Sequence, residues 1–380
     1  TSRRPTAART CAFYAGTRHN APMKTCDHIR TLPILALAAL LLIAPGAGAA
    51  GANRQTVATR SCSAVFEDGT LVGLSGADGR VFAAFDGALD AFACLHRLDD
   101  IVTAGSAQTR TVDTEPAGWS WRAAGFPELP GTHVRTAVTA EADEIAVRQE
   151  AVCPQEGLWG VEWGIAGIPL DRNILVPGHS GVRLTAATPG ARFTYDYPMS
   201  WEAQLVIVEG AGAGFYVWAR DPESQFKRLV VERSRTGWRL RFIAMAYAPF
   251  EENSALASPE WRLGVYAGDW RVPARRYRDW MVQAFAPTPV EEQYPSWVKD
   301  VRCCVILGLN LETLERLGGA LEPAQTMLYV PGWRSPGYDR DYPNYDDVHD
   351  DLKPFIDRAH ALGFKVMLHV NYFGVDPLNA

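Results

Sequence analysis

Apolar and polar residues alternate with a period of two over much of the chain between residues 53 and 268. Such alternation is typical of strands with one buried face, and short turns separate the segments. The clearest hairpins pair residues 134–138 with 145–152, 205–209 with 215–220, and 229–233 with 238–244. Many strands with frequent turns predict a large antiparallel β-sandwich over residues 53–268.

The apolar pattern changes to a helical period after the sandwich. Tyr277, Trp280 and Met281 share one face of a helix predicted at residues 270–284. A proline-rich stretch then follows, which stiffens a chain by fixing its backbone. Residues 269–299 are therefore predicted to be a linking helix and a connector.

Residues 300–375 alternate short apolar runs with helical patterns in the order β-α-β-α-β. Asn310 is placed to cap the first helix, and Gly363 is placed to end the second. Parallel strands with helical crossovers occur in (β/α)8 barrels and in doubly wound sheets. Because no glycine-rich phosphate turn follows the first strand, the barrel is favoured. The predicted fold class is multidomain, an N-terminal antiparallel β-sandwich followed by the first three β-strands of a (β/α)8 TIM barrel at residues 300–380.

The N-terminus has the pattern of an export signal. Met23 is followed by Lys24, by an apolar stretch at residues 32–44 and by small residues. Residues 23–50 are therefore predicted to be a signal peptide, and residues 1–22 a disordered upstream segment. The apolar stretch is too short for a transmembrane helix. We expect a secreted or periplasmic protein with no membrane span in its mature form.

Charge narrows the range of partners. The 380 residues carry a net charge of −6, although residues 1–52 contain six basic residues and one acidic residue. The rest of the chain is therefore strongly acidic, which argues against nucleic acid as a partner.

Cysteine usage suggests no metal centre. Five of the seven cysteines remain after the predicted cleavage, and an odd number in an exported protein leaves at least one thiol free. Cys62 could form a disulfide with Cys94 or Cys153, whereas Cys303 and Cys304 are expected to be core thiols. No spacing of cysteine and histidine resembles a zinc site, and no cofactor is predicted.

The loop after the second strand of the C-terminal segment mixes carboxylates with aromatic rings. Carboxylates can accept hydrogen bonds from sugar hydroxyls, and aromatic faces can cover the C–H faces of a pyranose, so the mixture is typical of a sugar site. The alternative is a solvated loop in which Asp346 and Asp347 begin the next helix. An irregular calcium site stays open, although the EF-hand pattern fails, and no metal site is predicted. The candidate substrate-binding residues of this loop are Trp333, Asp339, Asp341, Tyr342 and Asn344.

Two further candidates lie on the predicted third strand. His369 and Asn371 share the parity of Met367 and come near the carboxyl end of the strand, where barrel enzymes place site residues. The alternative for His369 is a core histidine with satisfied hydrogen bonds.

Three stretches carry a resemblance to a known group of proteins, WRLGVYAGDWRVPARRYRDW at residues 261–280, YVPGW followed by YDRDYPNY at residues 329–345, and AHALGFKVMLHVN at residues 359–371. Together they resemble glycoside-hydrolase-like (β/α)8 barrel proteins with an N-terminal β-supersandwich. The nearest likeness is to a bacterial family of undefined function, related in architecture to the α-galactosidase, α-glucosidase and endo-α-N-acetylgalactosaminidase groups. The resemblance covers about residues 200–380. It implies that five residues face a sugar, namely Trp333, Asp339, Asp341, Tyr342 and Asn371.

The same resemblance predicts that the chain is truncated. A whole barrel takes about 250 residues, and its catalytic carboxylates would follow later strands, so no catalytic residue is assigned. The expected function is the N-terminal part of a secreted glycoside hydrolase that uses two carboxylates on an oligosaccharide, a polysaccharide or a glycoconjugate. The alternative is a non-catalytic carbohydrate-binding or surface protein.

Overall fold

The alternating segments fold into mostly antiparallel strands in the computed structural model, which describes residues 54–85, 92–371, 374–377 and 379. The predicted signal peptide at residues 23–50 and the upstream segment before it lie outside the described residues, and both stay predictions. In chain order, the first strands of the described part are β1 (Arg54–Ala58), β2 (Cys62–Glu67), β3 (Thr70–Gly76), β4 (Val81–Ala84), β5 (Ala93–Arg97), β6 (Ile101–Thr103), β7 (Thr109–Glu115), β8 (Gly118–Phe126), β9 (Leu129–Glu141), β10 (Glu144–Val152), β11 (Leu158–Ile168), β12 (Asn173–Val176), β13 (Val182–Leu184), β14 (Arg192–Tyr197), β15 (Leu205–Glu209), β16 (Ala213–Arg220), β17 (Lys227–Arg233), β18 (Trp238–Met245), β19 (Ala255–Ala257) and β20 (Glu260–Ala267).

These strands form two sheets of ten strands each within the described residues. The first sheet has the order β1-β2-β3-β11-β18-β17-β14, with β4 beside β3, β5 beside β11, and β6 beside β5. The second sheet has the order β13-β12-β15-β16-β20-β10-β9-β8-β7, with β19 beside β10. The three predicted hairpins are confirmed as the pairs β9–β10, β15–β16 and β17–β18.

Aromatic side chains join the two sheets face to face. Trp261 of β20 lies against Phe242 of β18, with ring centroids 5.3 Å apart, and against Trp163 of β11 at 6.4 Å. Phe66 of β2 meets Trp119 of β8 edge to face at 5.2 Å. Because aromatic residues bury large apolar areas, these contacts make the space between the sheets the main core of the protein. The result is the sandwich that the alternation predicts.

The outer face of the second sheet is also apolar, because a helix covers part of it. In β15, Val206 points into the core between the sheets, whereas Leu205 joins a second cluster outside. Helix α1 (Arg271–Phe285) contributes Tyr277 to that outer cluster, where it meets Trp218 of β16. A helix therefore forms where the helical period predicts one, and it packs on the sheet through its predicted face. The short helix α2 (Val290–Gln293) and a 3₁₀ turn at Ser296–Asp300 follow.

The C-terminal segment forms a small parallel sheet with the order β21-β22-β23. Both predicted helix boundaries are confirmed, since the Asn310 side chain accepts a hydrogen bond from the Thr313 amide at 2.7 Å and Gly363 ends its helix with a φ of 98°. A positive φ at this position favours glycine, which has no Cβ to clash. The elements are β21 (Cys303–Ile306), α3 (Leu311–Ala320), β22 (Thr326–Val330), α4 (Leu352–Leu362) and β23 (Lys365–Leu368).

The predicted fold class, a sandwich followed by part of a (β/α)8 barrel, is wrong. The described residues are mostly β-strand, with two large sheets and few helices, and they contain no (β/α)8 barrel. Among them, β21 and β23 each pair with β22 and with no other strand. An alternation of strands and helices determines parallel pairing between neighbours, but it does not determine whether the edge strands meet and close a barrel.

Several smaller predictions also need correction. Cys62, Cys94 and Cys153 carry free thiols, so the considered disulfide does not form, and Cys304 is exposed rather than a core residue. Asp346 and Asp347 do not begin a helix, because α4 starts only at Leu352. In the described part of the chain, no helix is both long and apolar enough to cross a membrane.

Candidate functional site

Two strand ends and one loop position the candidate residues. Strands β22 and β23 are parallel, so their carboxyl ends lie at the same edge of the sheet. The loop at residues 331–351 follows β22, and residues 369–371 follow β23. The amide of His369 donates to the carbonyl of Val330 at 3.2 Å, which joins the two strand ends at the start of the loop.

A buried arginine holds this loop together. The Arg334 side chain donates to the backbone carbonyls of Arg340 at 2.5 Å, Asn344 at 2.6 Å and Gly337 at 3.3 Å. Its guanidinium also lies 4.1 Å from the ring centroid of Tyr342. Only 3% of Arg334 is exposed, so the loop folds around a buried cation that its own carbonyl groups solvate.

Asp341 and Asn344 are used within the loop. The Asp341 carboxylate accepts hydrogen bonds from the side-chain amides of Asn379 at 2.8 Å and Asn344 at 2.7 Å. These two bonds favour the ionised carboxylate and lower the pKa of Asp341 below its usual value. The Asn344 side-chain oxygen accepts from the Asp346 amide at 3.2 Å. Both residues therefore shape the loop.

The side chains of Trp333 and Tyr342 are buried, not exposed. Their exposed fractions are 7% and 4%. The indole of Trp333 donates to the carbonyl of His369 at 2.7 Å and stacks on Tyr345, with ring planes 11° apart. These rings form the floor of the loop and offer little surface to a sugar.

The exposed chemistry gathers in a group that we call the Tyr338 cluster, made of Tyr338, Asp339, His369 and Asn371. The ring of Tyr338 lies 4.9 Å from the imidazole of His369, measured between centroids, and half of the tyrosine is exposed. The Asp339 carboxylate, also half exposed, accepts from the Asn371 side-chain amide at 3.4 Å. Its negative charge is the main cause that raises the pKa of the Tyr338 phenol.

His369 lies beneath the exposed members of the cluster. Its Nδ1 shares a hydrogen bond with the Tyr329 hydroxyl, which orients the imidazole. Its Nε2 is shielded from solvent, has no hydrogen-bond partner among the described residues, and lies 3.9 Å from the Asp339 carboxylate. A buried polar atom without a partner is uncommon.

The Tyr338 cluster thus combines three of the seven predicted residues, Asp339, His369 and Asn371. The prediction missed Tyr338, although this residue stands directly before Asp339 in the same loop and meets the same aromatic criterion. It also missed Arg334, whose role depends on burial among carbonyl groups that are distant along the chain. Within the described residues, no group of three histidine, cysteine or acidic side chains is arranged to hold a metal ion.

Solved structures of similar fold include an α-N-acetylgalactosaminidase, NagBb from Bifidobacterium bifidum. Its complex with GalNAc matches 86% of this chain and 61% of its own, with 17% sequence identity and a TM-score of 0.67. Its ligand-free form matches 85% of this chain and 60% of its own, with 15% identity and a TM-score of 0.66. The chain therefore spans about three fifths of the length of NagBb, and at this identity the likeness shows a glycoside-hydrolase-like fold alone.

No protein-family model matches the sequence of this chain. No curated protein matches it by sequence either.

Proposed function

We propose that this chain is the N-terminal part of a glycoside hydrolase that acts on a glycan, and that the Tyr338 cluster binds a sugar unit of that glycan. The observation that carries the proposal is the half-exposed ring of Tyr338 beside the half-exposed carboxylate of Asp339. An aromatic face and a carboxylate side by side match the two kinds of surface on a pyranose, its C–H face and its hydroxyl groups. The fold shared with NagBb supports the proposal.

The proposed substrate is an α-linked N-acetylgalactosaminide or a related galactoside. This choice rests on the fold likeness to an α-N-acetylgalactosaminidase that was solved with GalNAc. In the proposed binding mode, Tyr338 covers the apolar face of the sugar and Asp339 accepts hydrogen bonds from its hydroxyl groups. The side-chain amide of Asn371 donates to this carboxylate, and the imidazole of His369 lies 3.9 Å from it.

The proposed reaction is hydrolysis assisted by two carboxylates, as in most glycoside hydrolases. We assign no catalytic pair, because Asp339 is the one carboxylate of the Tyr338 cluster. The neighbouring carboxylate, Asp341, is held by Asn344 and Asn379. The role of Asp339 in the proposal is sugar binding.

Binding of GalNAc by matched variants of this chain tests the sugar site, and hydrolysis of p-nitrophenyl α-N-acetylgalactosaminide by the full-length protein tests the reaction. Tyr338→Ala should weaken GalNAc binding about tenfold, a loss of about 1.4 kcal/mol. Its control is Tyr294→Ala, since 52% of Tyr338 and 53% of Tyr294 are exposed and Tyr294 lies outside the cluster. Equal affinities for these two variants would refute the binding site.

The second pair of variants tests the carboxylate. Asp339→Asn should weaken binding about 10- to 100-fold, because a hydrogen bond to a charged group contributes about 1.5–3 kcal/mol. Asparagine tolerates the positive φ of 54° at this position, so the loop should keep its shape. Asp347→Asn, an exposed change in the same loop, should leave the affinity as it is.

A second candidate function is carbohydrate binding without hydrolysis. The presence of a single carboxylate, that of Asp339, in the Tyr338 cluster favours it. This alternative predicts that Tyr338→Ala and Asp339→Asn reduce the affinity for GalNAc while the full-length protein hydrolyses no p-nitrophenyl glycoside of galactose or N-acetylgalactosamine. Hydrolysis that both substitutions reduce would exclude it.

We also propose that the protein is exported, on the strength of the signal-like pattern at residues 23–50. Expression of the full sequence in a bacterium, followed by N-terminal sequencing of the exported form, tests this. Cleavage close to Ala49 is expected, and retention of the intact chain in the cytoplasm would contradict the proposal.

A further inference from the structure

A second concave site lies on the outer face of the sandwich, where the second sheet meets helix α1. Its volume is about 330 Å³, within the range of small-ligand sites. The site is remote in sequence from the Tyr338 cluster and shares no residue with it. The lining side chains that matter are those of Glu141, Glu144, Trp218, Arg220, Arg262 and Trp280.

Two indole rings form the apolar wall of this pocket. Trp218 of β16 and Trp280 of α1 have ring centroids 4.9 Å apart and planes inclined at 59°. Inclined rings make a corner, whereas parallel rings would leave a flat wall. Trp218 is fixed in place, because its indole donates to the Glu144 carboxylate at 3.0 Å. A rigid aromatic corner favours a ligand with an apolar face and costs little conformational entropy on binding.

Glu144 belongs to the support of the pocket. One of its oxygens accepts from the Tyr216 hydroxyl at 2.6 Å and lies 3.5 Å from the Arg276 guanidinium of α1. These contacts attach the helix to the sheet and fix the positions of both sides of the pocket. The pocket is therefore preformed, so little free energy is spent on ordering its side chains when a ligand binds.

The rim of the pocket carries polar groups that can still bind a ligand. The Arg220 guanidinium makes no hydrogen bond within the described residues, although it forms an ion pair with the Glu260 carboxylate at 3.8 Å. Glu141 is held by Arg262 at 2.8 Å through one oxygen, and 44% of its side chain is exposed. A half-exposed guanidinium and a half-exposed carboxylate together supply several donors and acceptors.

We propose that this pocket binds a neutral pyranose unit of a glycan, as a second sugar site separate from the Tyr338 cluster. Trp280, which is partly exposed and is backed by the buried Trp218, accepts the C–H face of the sugar ring. Arg220 donates to hydroxyl oxygens, and Glu141 accepts from hydroxyl groups. Neutrality follows from the charges, because the lining contains two carboxylates and two guanidinium groups that balance. A charged ligand of either sign would lose its hydration without meeting a net charge of the opposite sign in the pocket.

The experiment uses the double variant Tyr338→Ala/Asp339→Asn, in which the loop site is disabled. Its binding of methyl α-galactopyranoside and methyl α-N-acetylgalactosaminide is measured by saturation-transfer NMR and calorimetry. Residual binding is expected in this background. Adding Trp280→Ala or Arg220→Gln should reduce the residual affinity at least about tenfold. Arg220→Gln changes a half-exposed side chain, so it tests the pocket even where Trp280→Ala disturbs the packing of the helix.

Matched controls are Trp270→Ala, at the start of the same helix, and Arg122→Gln, an exposed arginine on the same sheet. Both should leave the residual affinity unchanged. The proposal is overturned if the double variant binds neither glycoside, or if Arg220→Gln binds as well as Arg122→Gln. Unchanged affinity of the double variant relative to wild type would instead refute the loop site and leave the pocket standing.

Discussion

Replacing Arg334 with methionine should open the loop that carries Tyr338 and Asp339 without removing any group that we propose touches the sugar. Methionine keeps an apolar stem against the Tyr342 ring but cannot donate hydrogen bonds. The carbonyl groups of Arg340 and Asn344 would then lose their donor inside a buried space.

The expected cost follows from the contacts of the guanidinium. Each of the two shorter hydrogen bonds, to Arg340 at 2.5 Å and Asn344 at 2.6 Å, contributes about 1.5–3 kcal/mol because the donor is charged. The contact with the Tyr342 ring adds up to about 2 kcal/mol when it is desolvated. Since contributions of neighbouring contacts do not add fully, we expect the loop to lose about 4 kcal/mol of local stability.

Amide hydrogen exchange followed by mass spectrometry measures this loss. The Asn344 amide donates to the Asp341 carbonyl at 2.9 Å and the Ser335 amide to the Asp347 carbonyl at 3.0 Å, so both report on loop opening. A loss of about 4 kcal/mol accelerates their exchange by roughly three orders of magnitude. Amides in the strands of the sandwich should exchange as in the wild type, because no contact of Arg334 reaches them.

Arg340→Met is the matched control, since Arg340 belongs to the same loop and its side chain is exposed. It should leave exchange at Asn344 and Ser335 unchanged. Equal exchange in the Arg334 and Arg340 variants would refute the reasoning, because the loop would then hold its shape without the buried cation.

Two further predictions concern the sandwich. Lys227 donates to Asp221 at 2.7 Å, and burial lowers the pKa of Lys227 to about 8 against the opposing effect of Asp221. Between pH 8 and 10.5 the unfolded chain therefore binds a proton that the native protein does not, so this group should add up to about 3 kcal/mol of stability as the pH rises through that window. Urea midpoints across the window should show the rise in the wild type, and a similar rise in Lys227→Met/Asp221→Leu would contradict it. Gly167→Ala should lower the free energy of unfolding by about 2–3 kcal/mol more than Gly212→Ala does. Both glycines have a φ of 71°. A Cβ on Gly167 would come within 1.8 Å of the Ala84 carbonyl oxygen, whereas a Cβ on Gly212 would meet nothing within 4 Å. Equal denaturation midpoints for the two variants would show that the backbone relaxes at Gly167.

The sequence predicted the local elements well because their causes are local. Asn310 caps a helix through an amide three residues away, and Gly363 ends the next helix through its own backbone angle. The alternation of Leu205 and Val206 places successive side chains on opposite faces of a strand wherever the strand lies. The same reasoning predicted the three hairpins and the helix that follows the sandwich.

The candidate site could be predicted only in part, because composition does not reveal orientation. Trp333 and Tyr338 are aromatic residues of one loop, and the sequence offered the tryptophan as the sugar platform. The structure buries Trp333, since its indole finds an acceptor in the carbonyl of His369 on another strand. Tyr338 stays exposed above the imidazole of the same residue.

By itself, the sequence determined the periodicity of the strands, the helix boundaries and the place along the chain where carboxylates and aromatic rings gather. Only the tertiary structure decided that the described C-terminal strands form a three-stranded sheet and no barrel. It also decided that Arg334 is the centre of the loop and that Trp218 and Trp280 meet in a corner. Periodicity and caps depend on atoms a few residues apart, whereas closure, burial and exposure depend on groups that the fold brings together from distant parts of the chain.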